Sequence, residues 1–237
     1  ILIHKLINPI MKRFLLAMSL FSAVAAIPAA AQTEIFNNPD NRPFWGIRAS
    51  ADVSFPGNYK SKLLSLKMFS PGTGFSVGAI YNLPLVANLY FEPGLNFYFD
   101  TYRFSDLVVG NSDESLTESD PPVHKAGFRV PLMFGYHFDI FPNNGGISIF
   151  TGPEASLGVS AKVKFKNEEL RDELGDLYGR ESDMRRFDLA WRIGAGITVG
   201  KAWFSVAGSF GMTDLCKLED ISFRENRLYI TLGYNFR

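Results

Sequence analysis

Few side chains after residue 31 could serve as a catalytic base. The histidines there are His124 and His137, and they fall at opposite ends of one strand-like segment, so they cannot share a site. A hydrolytic site needs a histidine beside a hydroxyl or a carboxylate, and only His124 near Ser105, Asp106 or Asp120 could supply one. A histidine at a loop edge usually has no catalytic role. We therefore expect no catalytic residues and a protein that is not an enzyme.

A second set of ionisable side chains recurs at alternate positions of strand-like segments in which glycine is also frequent. If these positions face the inside of a narrow barrel, charges of both signs must pair there to offset their desolvation. We interpret the set as a structural ion network rather than a selective pathway or a proton-transfer site. Acid–base chemistry by Glu92 and Glu154 is disfavoured by the neighbouring arginines. The nine residues are Arg48, Asp52, Glu92, Asp100, Arg129, Glu154, Asp188, Arg192 and Arg227.

Metal, cofactor and nucleic-acid sites are not indicated. Cys216 is the single cysteine, so neither an intramolecular disulfide nor a cysteine-based zinc site can form, and we interpret it as incidental. The polar stretches 104–123 and 164–184 lack the ligand spacing of an EF-hand loop. The chain has 24 basic and 24 acidic groups, which provide no net basic field for nucleic acid. We expect no cofactor, no metal and no nucleic-acid partner.

Residues 1–31 contain the layout of a secretory signal. From Met11, two basic residues precede a long apolar run and a group of small residues that ends at Ala31. This layout predicts export with cleavage near Ala31, since the run is shorter than the roughly 20 residues that a membrane-spanning helix needs. The residues before Met11 are interpreted as an upstream extension. The predicted organisation is therefore 1–31 as extension and signal, and 32–237 as one domain.

The rest of the chain alternates with a period of two residues, as β-strands do. From Leu228 to Phe236, every second residue is large and apolar, while the residues between are polar or small. The composition, 46% hydrophobic, 14% aromatic and 20% charged, excludes intrinsic disorder, collagen and coiled coil. Eight strands are predicted, at 44–54, 73–82, 89–103, 124–138, 146–163, 185–199, 202–213 and 226–236.

The connections between these strands are alternately long and short. The first, third, fifth and seventh are long and polar, and the others are short turns, which is typical of a transmembrane barrel with external long loops and periplasmic termini. A soluble lipocalin-like barrel is disfavoured because the less apolar face is glycine-rich rather than rich in Lys and Glu. We predict an all-β fold: an eight-stranded antiparallel up-and-down transmembrane β-barrel, preceded by a cleavable signal peptide.

Three local features lead to further predictions. Pro93, Pro131 and Pro153 lie inside strand patterns and are interpreted as bulges, because proline cannot donate a ladder hydrogen bond. A short helix is expected at 167–178. Aromatic residues near the short turns predict an interfacial girdle. Its members are Trp45, Tyr81, Phe138, Trp203, Tyr234 and Phe236.

Short motifs follow one another in a fixed order through the domain. They are Gly74–Ala79 followed by Leu83–Leu85, Tyr90–Leu95, Phe128–Leu132, Gly152–Glu154 and Leu232–Phe236. In this order they resemble the PorT-like outer-membrane β-barrel family of Gram-negative bacteria. The resemblance implies an integral outer-membrane barrel, in a family whose members mostly lack an assigned activity. It also implies that the closing aromatic strand is the signal read by the barrel-insertion machinery.

We therefore expect an integral protein of the cell outer membrane with a plugged lumen. Its role is structural or surface-binding, through the long external loops. The expected partners are outer-membrane lipid, the barrel-insertion machinery during assembly, and a protein at the loops or the periplasmic rim. Two alternatives stay open: a membrane subunit of a protein secretion or assembly system, and an outer-membrane enzyme with a histidine site at the loop rim. A channel is disfavoured because eight strands leave no aqueous bore.

Overall fold

A closed antiparallel sheet forms the body of the protein. The computed structural model describes residues 42–57, 59–60, 65–66, 69–104, 107–109, 116–118, 121–141, 145–164, 176–178, 184–217 and 222–236. The barrel strands are β1 (Phe44–Pro56), β4 (Phe69–Pro84), β5 (Leu89–Phe104), β8 (Pro122–Phe141), β9 (Gly145–Val163), β10 (Phe187–Val199), β11 (Ala202–Gly211) and β12 (Glu225–Phe236). Two small hairpins lie in the first two long connections, formed by β2 (Tyr59–Lys60) with β3 (Ser65–Leu66), and by β6 (Leu107–Val109) with β7 (Leu116–Glu118).

Each barrel strand pairs with its neighbours along the chain, and the first strand closes the sheet on the last. Arg48 of β1 lies opposite Gly78 of β4 on one side and opposite Gly233 of β12 on the other. Short turns join β4 to β5, β8 to β9 and β10 to β11, whereas the long loops lie at the other rim. The predicted eight-stranded antiparallel barrel is therefore confirmed, with strand ends within four residues of the predicted ones.

Side chains alternate between the lumen and the outer wall along every barrel strand. In β12, Leu228, Ile230 and Leu232 are 43%, 52% and 62% exposed, whereas Tyr229 between them is 1% exposed. An outer wall with so much exposed apolar surface is stable in contact with lipid, whereas contact with water would destabilise it. The core of the molecule is consequently the lumen, which is filled by polar and aromatic side chains.

Trp203 corrects the predicted aromatic girdle. Its indole is only 8% exposed and lies inside the lumen, where the Arg48 guanidinium carbon is 5.3 Å from the ring centroid. The neighbouring Phe204 points outward, so the parity of β11 places Trp203 inward. The prediction relied on the closeness of Trp203 to a short turn, but the alternation of side chains along the strand determines which face a residue occupies. Trp45 and Tyr81 do lie on the outer wall, with ring centroids 4.6 Å apart.

The three strand prolines do not form bulges, contrary to the prediction. Pro93 is opposite Leu132, Pro131 is opposite Glu154, and Pro153 is opposite Trp191, without any change of register on either side. The described register shifts lie elsewhere, between Ser70 and Thr73, Ala126 and Gly127, and Asp139 and Phe141. A proline removes one ladder bond, but strands that are paired on both sides keep their alignment through the neighbouring bonds.

Gly152 marks a place where two strands leave no room for a side chain. A Cβ atom at this position would overlap the backbone carbonyl oxygen of Leu132 on the neighbouring strand. We expect Gly152→Ala to lower the free energy of unfolding by about 1–3 kcal/mol, because the backbone would have to shift. Urea unfolding in lipid vesicles measures this. Gly208→Ala is the control, since its Cβ would face outward with the nearest atom, on Phe210, at 3.7 Å; an equal loss in both variants would contradict the explanation.

Some predictions fall outside the described residues. These are the signal at 1–31 and most of the expected helix at 167–178. In the described end of the latter segment, Asp176 forms an isolated β-bridge with Lys162, and Leu177 and Tyr178 lie in a turn. Among the described residues, none belongs to a helix with the length and apolarity that crossing a membrane requires.

Candidate functional site: a charged lumen under an apolar cap

The centre of the lumen is occupied by Arg129 between two carboxylates. Its guanidinium lies 3.3 Å from Asp52 Oδ1 and 2.5 Å from Asp100 Oδ2, and its Cζ is 4.1 Å above the ring of Tyr98. All of these side chains are buried. One planar guanidinium can satisfy two carboxylates at once, a geometry that lysine cannot provide. Strands β1, β5 and β8 are thereby linked across the lumen.

A second centre is built around Glu154 on β9. Its Oε2 is 2.9 Å from Arg192 Nη1, and its Oε1 accepts a hydrogen bond of 2.8 Å from the hydroxyl of Tyr229. The Arg192 guanidinium stacks on the Tyr229 ring at 4.0 Å. A carboxylate with both oxygens engaged and no exposed surface is suited to holding strands together, and it is not placed to exchange protons with solvent.

Towards the long loops, the network ends at Glu225. Its Oε2 lies 2.9 Å from Arg227 Nη2 and 3.2 Å from Lys125 Nζ, and the hydroxyl of Tyr102 donates to its other oxygen. Arg227 also reaches Asp188 at 3.3 Å. Lys125 and Glu225 belong to the network although they were not among the nine predicted residues. Parity could have found them, because Lys125 is four residues before Arg129 and Glu225 is two before Arg227.

Towards the short turns, Arg48 and Glu92 form a looser centre. Their closest atoms are 3.3 Å apart, and the guanidinium also donates to Asn235 Oδ1 at 2.9 Å. Two cavities of about 40 Å³ and 30 Å³ adjoin this pair, and Tyr90 and Trp203 line both. Such volumes hold a few water molecules each and no larger ligand.

The structure places all nine predicted network residues on inward-facing positions. Glu92 and Glu154, considered as an acid–base pair, contact different arginines, Arg48 and Arg192 respectively. His124 faces outward, with its Nδ1 3.2 Å from Thr101 Oγ1 and its ring stacked on Phe99. The residues considered as its catalytic partners, Ser105, Asp106 and Asp120, lie outside the described residues.

His137 is an inward residue at the short-turn rim. Its Nδ1 is 2.9 Å from Ser148 Oγ, and its Nε2 is 3.0 Å from Asp139 Oδ1. The two histidines therefore lie at opposite ends of β8, as the sequence predicts, and they also lie on different faces of the strand. Over the described ranges of the chain, no group of three or more His, Cys, Asp or Glu is arranged to hold a metal ion.

An apolar cap covers the lumen at the long-loop rim. We define it as the loop residues Leu177, Met184, Leu215, Cys216 and Phe223. They pack on buried side chains of the strand ends, among them Phe69, Tyr102, Val123 and Val163. Leu215, Cys216 and Phe223 are each at most 3% exposed. Sequence reasoning missed the cap, in which Cys216 is one of the buried residues.

Backbone and side-chain hydrogen bonds hold the cap together. Asp214 Oδ1 accepts from the backbone amides of Cys216 at 3.1 Å and Phe223 at 2.9 Å, and the amide of Leu215 donates to the carbonyl of Phe223. The Arg185 amide donates to the carbonyl of Leu215, which ties the two last long loops to each other. The cap is therefore a folded part of the protein.

Tyr178 fills the space beside the cap. Its hydroxyl lies over Gly158, where a Cβ would overlap it, and its carbonyl accepts a bond of 2.9 Å from Arg186. Burial raises the pKa of the Tyr178 phenol above its ordinary value, more than the nearby charge of Lys125 lowers it. At neutral pH the phenol is therefore uncharged.

These features define a class: an integral outer-membrane β-barrel, closed by eight antiparallel strands, with an apolar outer wall and a charged lumen. The family model described as "Outer membrane protein beta-barrel domain" matches residues 31–216. The chain belongs to this family, and its location is accordingly the outer membrane. No curated protein sequence matches the chain.

Several solved outer-membrane barrels are similar in structure at low sequence identity. OprG from Pseudomonas aeruginosa is 12% identical, with 85% of this chain and 99% of that chain covered and a TM-score of 0.45. Neisserial surface protein A is 13% identical, with 81% and 97% covered and a TM-score of 0.42. Ail, the attachment invasion locus protein of Yersinia pestis, is 16% identical, with 82% and 99% covered and a TM-score of 0.39.

Proposed function

We propose that this protein is a non-conducting outer-membrane barrel with a structural or surface-binding role, which it performs through its long external loops. The observation that supports the proposal is the content of the lumen. Paired charges cross it at several levels, and the apolar cap covers its outer end. A hydrated ion would have to separate buried side-chain ion pairs, and this would cost several kcal/mol of free energy.

The size of the internal spaces agrees with this proposal. Three cavities among the described residues measure about 40, 30 and 20 Å³, and the 20 Å³ cavity lies under the cap beside Phe69 and Phe223. Each is of the order of a few water molecules. An eight-stranded barrel has just enough interior for its own side chains, whereas porins need 16 or more strands for an aqueous channel.

The loops are the part of the protein available for recognition. They connect β1 to β4, β5 to β8, β9 to β10, and β11 to β12, all at one rim, which in such barrels faces the outside of the cell. A protein partner at these loops or at the periplasmic rim belongs to the proposal. A non-catalytic role also belongs to it, and the engagement of His124 with Thr101 and Phe99 on the outer wall supports this.

Export and assembly complete the proposal. Residues 1–31 serve as the extension and signal, with cleavage near Ala31, and the closing strand is the part read by the barrel-insertion machinery. The apolar outer positions of β12, from Leu228 to Phe236, support that role, since they are exposed on the wall. The PorT-like relationship within the wider family remains part of this proposal.

Planar-bilayer recording tests the non-conducting barrel. We expect the refolded protein, verified by a gel shift on boiling, to give no stepwise conductance in 1 M KCl, because paired charges and the apolar cap obstruct the lumen. A 16-stranded porin in the same bilayers is the positive control. Reproducible single-channel steps that require the folded form would contradict the proposal.

A further inference from the structure

Charges are sorted between the two faces of the barrel wall. On the barrel strands, the acidic side chains that the structure describes all occupy inward positions. They are Asp52, Glu92, Asp100, Asp139, Glu154, Asp188 and Glu225. The basic side chains divide: Arg129 and Arg227 are buried, whereas Arg103 and Lys162 are exposed. The outer cations therefore take no part in the lumen network.

Three exposed cations lie together at the long-loop rim of adjacent strands. Arg103 of β5 is opposite Pro122 of β8, whose carbonyl accepts the backbone amide of Lys164 at 2.9 Å. One step lower, His124 is opposite both Thr101 of β5 and Lys162 of β9. Neighbouring strands are about 4.8 Å apart, and alternate residues are about 7 Å apart, so the cations share a patch roughly 10 Å wide. We call Arg103, Lys162 and Lys164 the rim patch; the exposed Asp176 lies opposite Lys162, so the cations remain in excess there.

The rim patch begins where the apolar wall ends. Below it on the same strands, Phe97, Phe128, Leu157 and Val159 point outward and are exposed. On β9, the outward apolar positions extend from Ile147 to Val159, a rise of about 40 Å along the strand and about 30 Å along the membrane normal at a tilt of roughly 40°. This matches the hydrocarbon thickness of a bilayer, about 30 Å. The rim patch is therefore at the depth of the outer-leaflet headgroups.

We propose that the rim patch is a binding site for the phosphate-bearing headgroup of an outer-leaflet lipid, whose acyl chains lie on the apolar wall of β5, β8 and β9. Lysine and arginine at the membrane surface attract anionic headgroups. The guanidinium of Arg103 can take two phosphate oxygens at once, and the two lysines add point charges from the other side. His124, between them, holds its ring against Phe99 and the edge of the wall.

The ligand that fits is a lipid and not a free anion. The three cations are exposed, so the phosphate alone would gain little over its hydration. A lipid is already anchored beside the barrel, and its chains bury the exposed rings of Phe97 and Phe128, which adds apolar contact to charge pairing. Charge complementarity and the adjoining apolar wall therefore identify one chemical class: an acylated phosphomonoester.

Native mass spectrometry of the folded barrel in detergent tests this site. The probes are dioleoyl phosphatidic acid, which carries a phosphomonoester, and dioleoyl phosphatidylcholine, which has the same chains and no net charge. The test variant is R103Q/K162Q/K164Q. The control, R42Q/K201Q/R224Q, removes the same charge from exposed positions outside the rim patch. A gel shift on boiling verifies that each variant is folded, and the three single variants extend the test if the triple variant does not fold.

We expect the unmodified protein and the control to bind phosphatidic acid at least tenfold more tightly than phosphatidylcholine. Each rim-patch cation is expected to contribute about fivefold, so the triple variant should bind phosphatidic acid roughly 100-fold more weakly. Equal affinity for the two lipids, or an equal loss in the control, would overturn the site. Full competition by inorganic phosphate at equimolar concentration would also overturn it, because the site would then recognise a free anion.

Discussion

Replacing Arg129 by methionine is expected to lower the free energy of unfolding by about 3–5 kcal/mol, because it leaves two buried carboxylates without their partner. The Asp52 and Asp100 side chains each accept a bond from this guanidinium and are at most 1% exposed. Methionine keeps much of the volume over Tyr98 and Tyr229, so lost packing accounts for little of the effect. Reversible urea unfolding in lipid vesicles, followed by tryptophan fluorescence, measures it.

A matched pair of variants separates the charge effect from a general loss of fold. Arg224→Met removes a cation from an exposed position beside β12 and is expected to change the free energy of unfolding by less than about 0.5 kcal/mol. Asp52→Asn, Asp100→Asn and Arg129→Met together remove all three charges, and this variant should recover more than half of the loss. If the triple variant were less stable than Arg129→Met, unpaired charge would not be the cause.

Introducing a charge into the apolar cap by Leu215→Asp is expected to open it. Leu215 is 1% exposed among Phe69, Val123 and Phe223, and a carboxylate cannot remain there without several kcal/mol of desolvation cost. The cap should then leave the strand ends while the barrel stays closed. Cys216 reports the change, since its thiol is 3% exposed in the closed cap. We expect its rate of alkylation by a maleimide to rise by about 100-fold, which corresponds to roughly 3 kcal/mol.

Leu215→Met is the control for the cap experiment. It conserves volume and apolarity, so it should leave Cys216 nearly as unreactive as in the unmodified protein. A gel shift on boiling should be present in all three proteins. Rapid alkylation of Cys216 in the unmodified protein would mean that the cap is open in solution, contrary to its packing on the strand ends.

The barrel was predictable because lipid imposes a strict rule on each strand. Every second residue from Leu228 to Phe236 faces the lipid, and charged or strongly polar side chains are destabilising at those positions. The pattern therefore marks both the strands and their faces. Trp203 shows that the alternation of side chains decides the face even near a turn: its neighbour Phe204 faces outward, so Trp203 faces inward.

The charged lumen was predictable in its members but only partly in its pairs. Nine residues follow from the parity of the strands, yet the partners of Arg48 and Arg129 depend on how far the strands are staggered around the barrel. Lys125 and Glu225 were missed because they lie near strand ends, where alternation is short and loops are expected. Their ion pair spans 100 residues of sequence, and no local pattern connects them.

Local sequence patterns could not predict the cap or the absence of bulges at the strand prolines. Leu215, Cys216 and Phe223 occur in an irregular loop without a period, so nothing in the sequence assigns them a common face. The prolines were interpreted from the hydrogen bond that each lacks. In the closed barrel, the bonds of the adjacent residues on both sides hold the register, and this collective effect is invisible from a single strand.

The cross-lumen ion pairs also constrain the order of assembly. Asp52 on the first strand meets Arg129 on the middle strand β8, and Arg227 on the last strand meets Asp188 on β10. A half-built sheet in contact with lipid would carry these charges without their counter-ions, in a medium that cannot solvate them. Insertion and closure are thus coupled energetically, because the last strand brings Arg227 to Asp188 and Glu225 to Lys125. An incomplete barrel therefore carries a desolvation cost that closure of the ring removes.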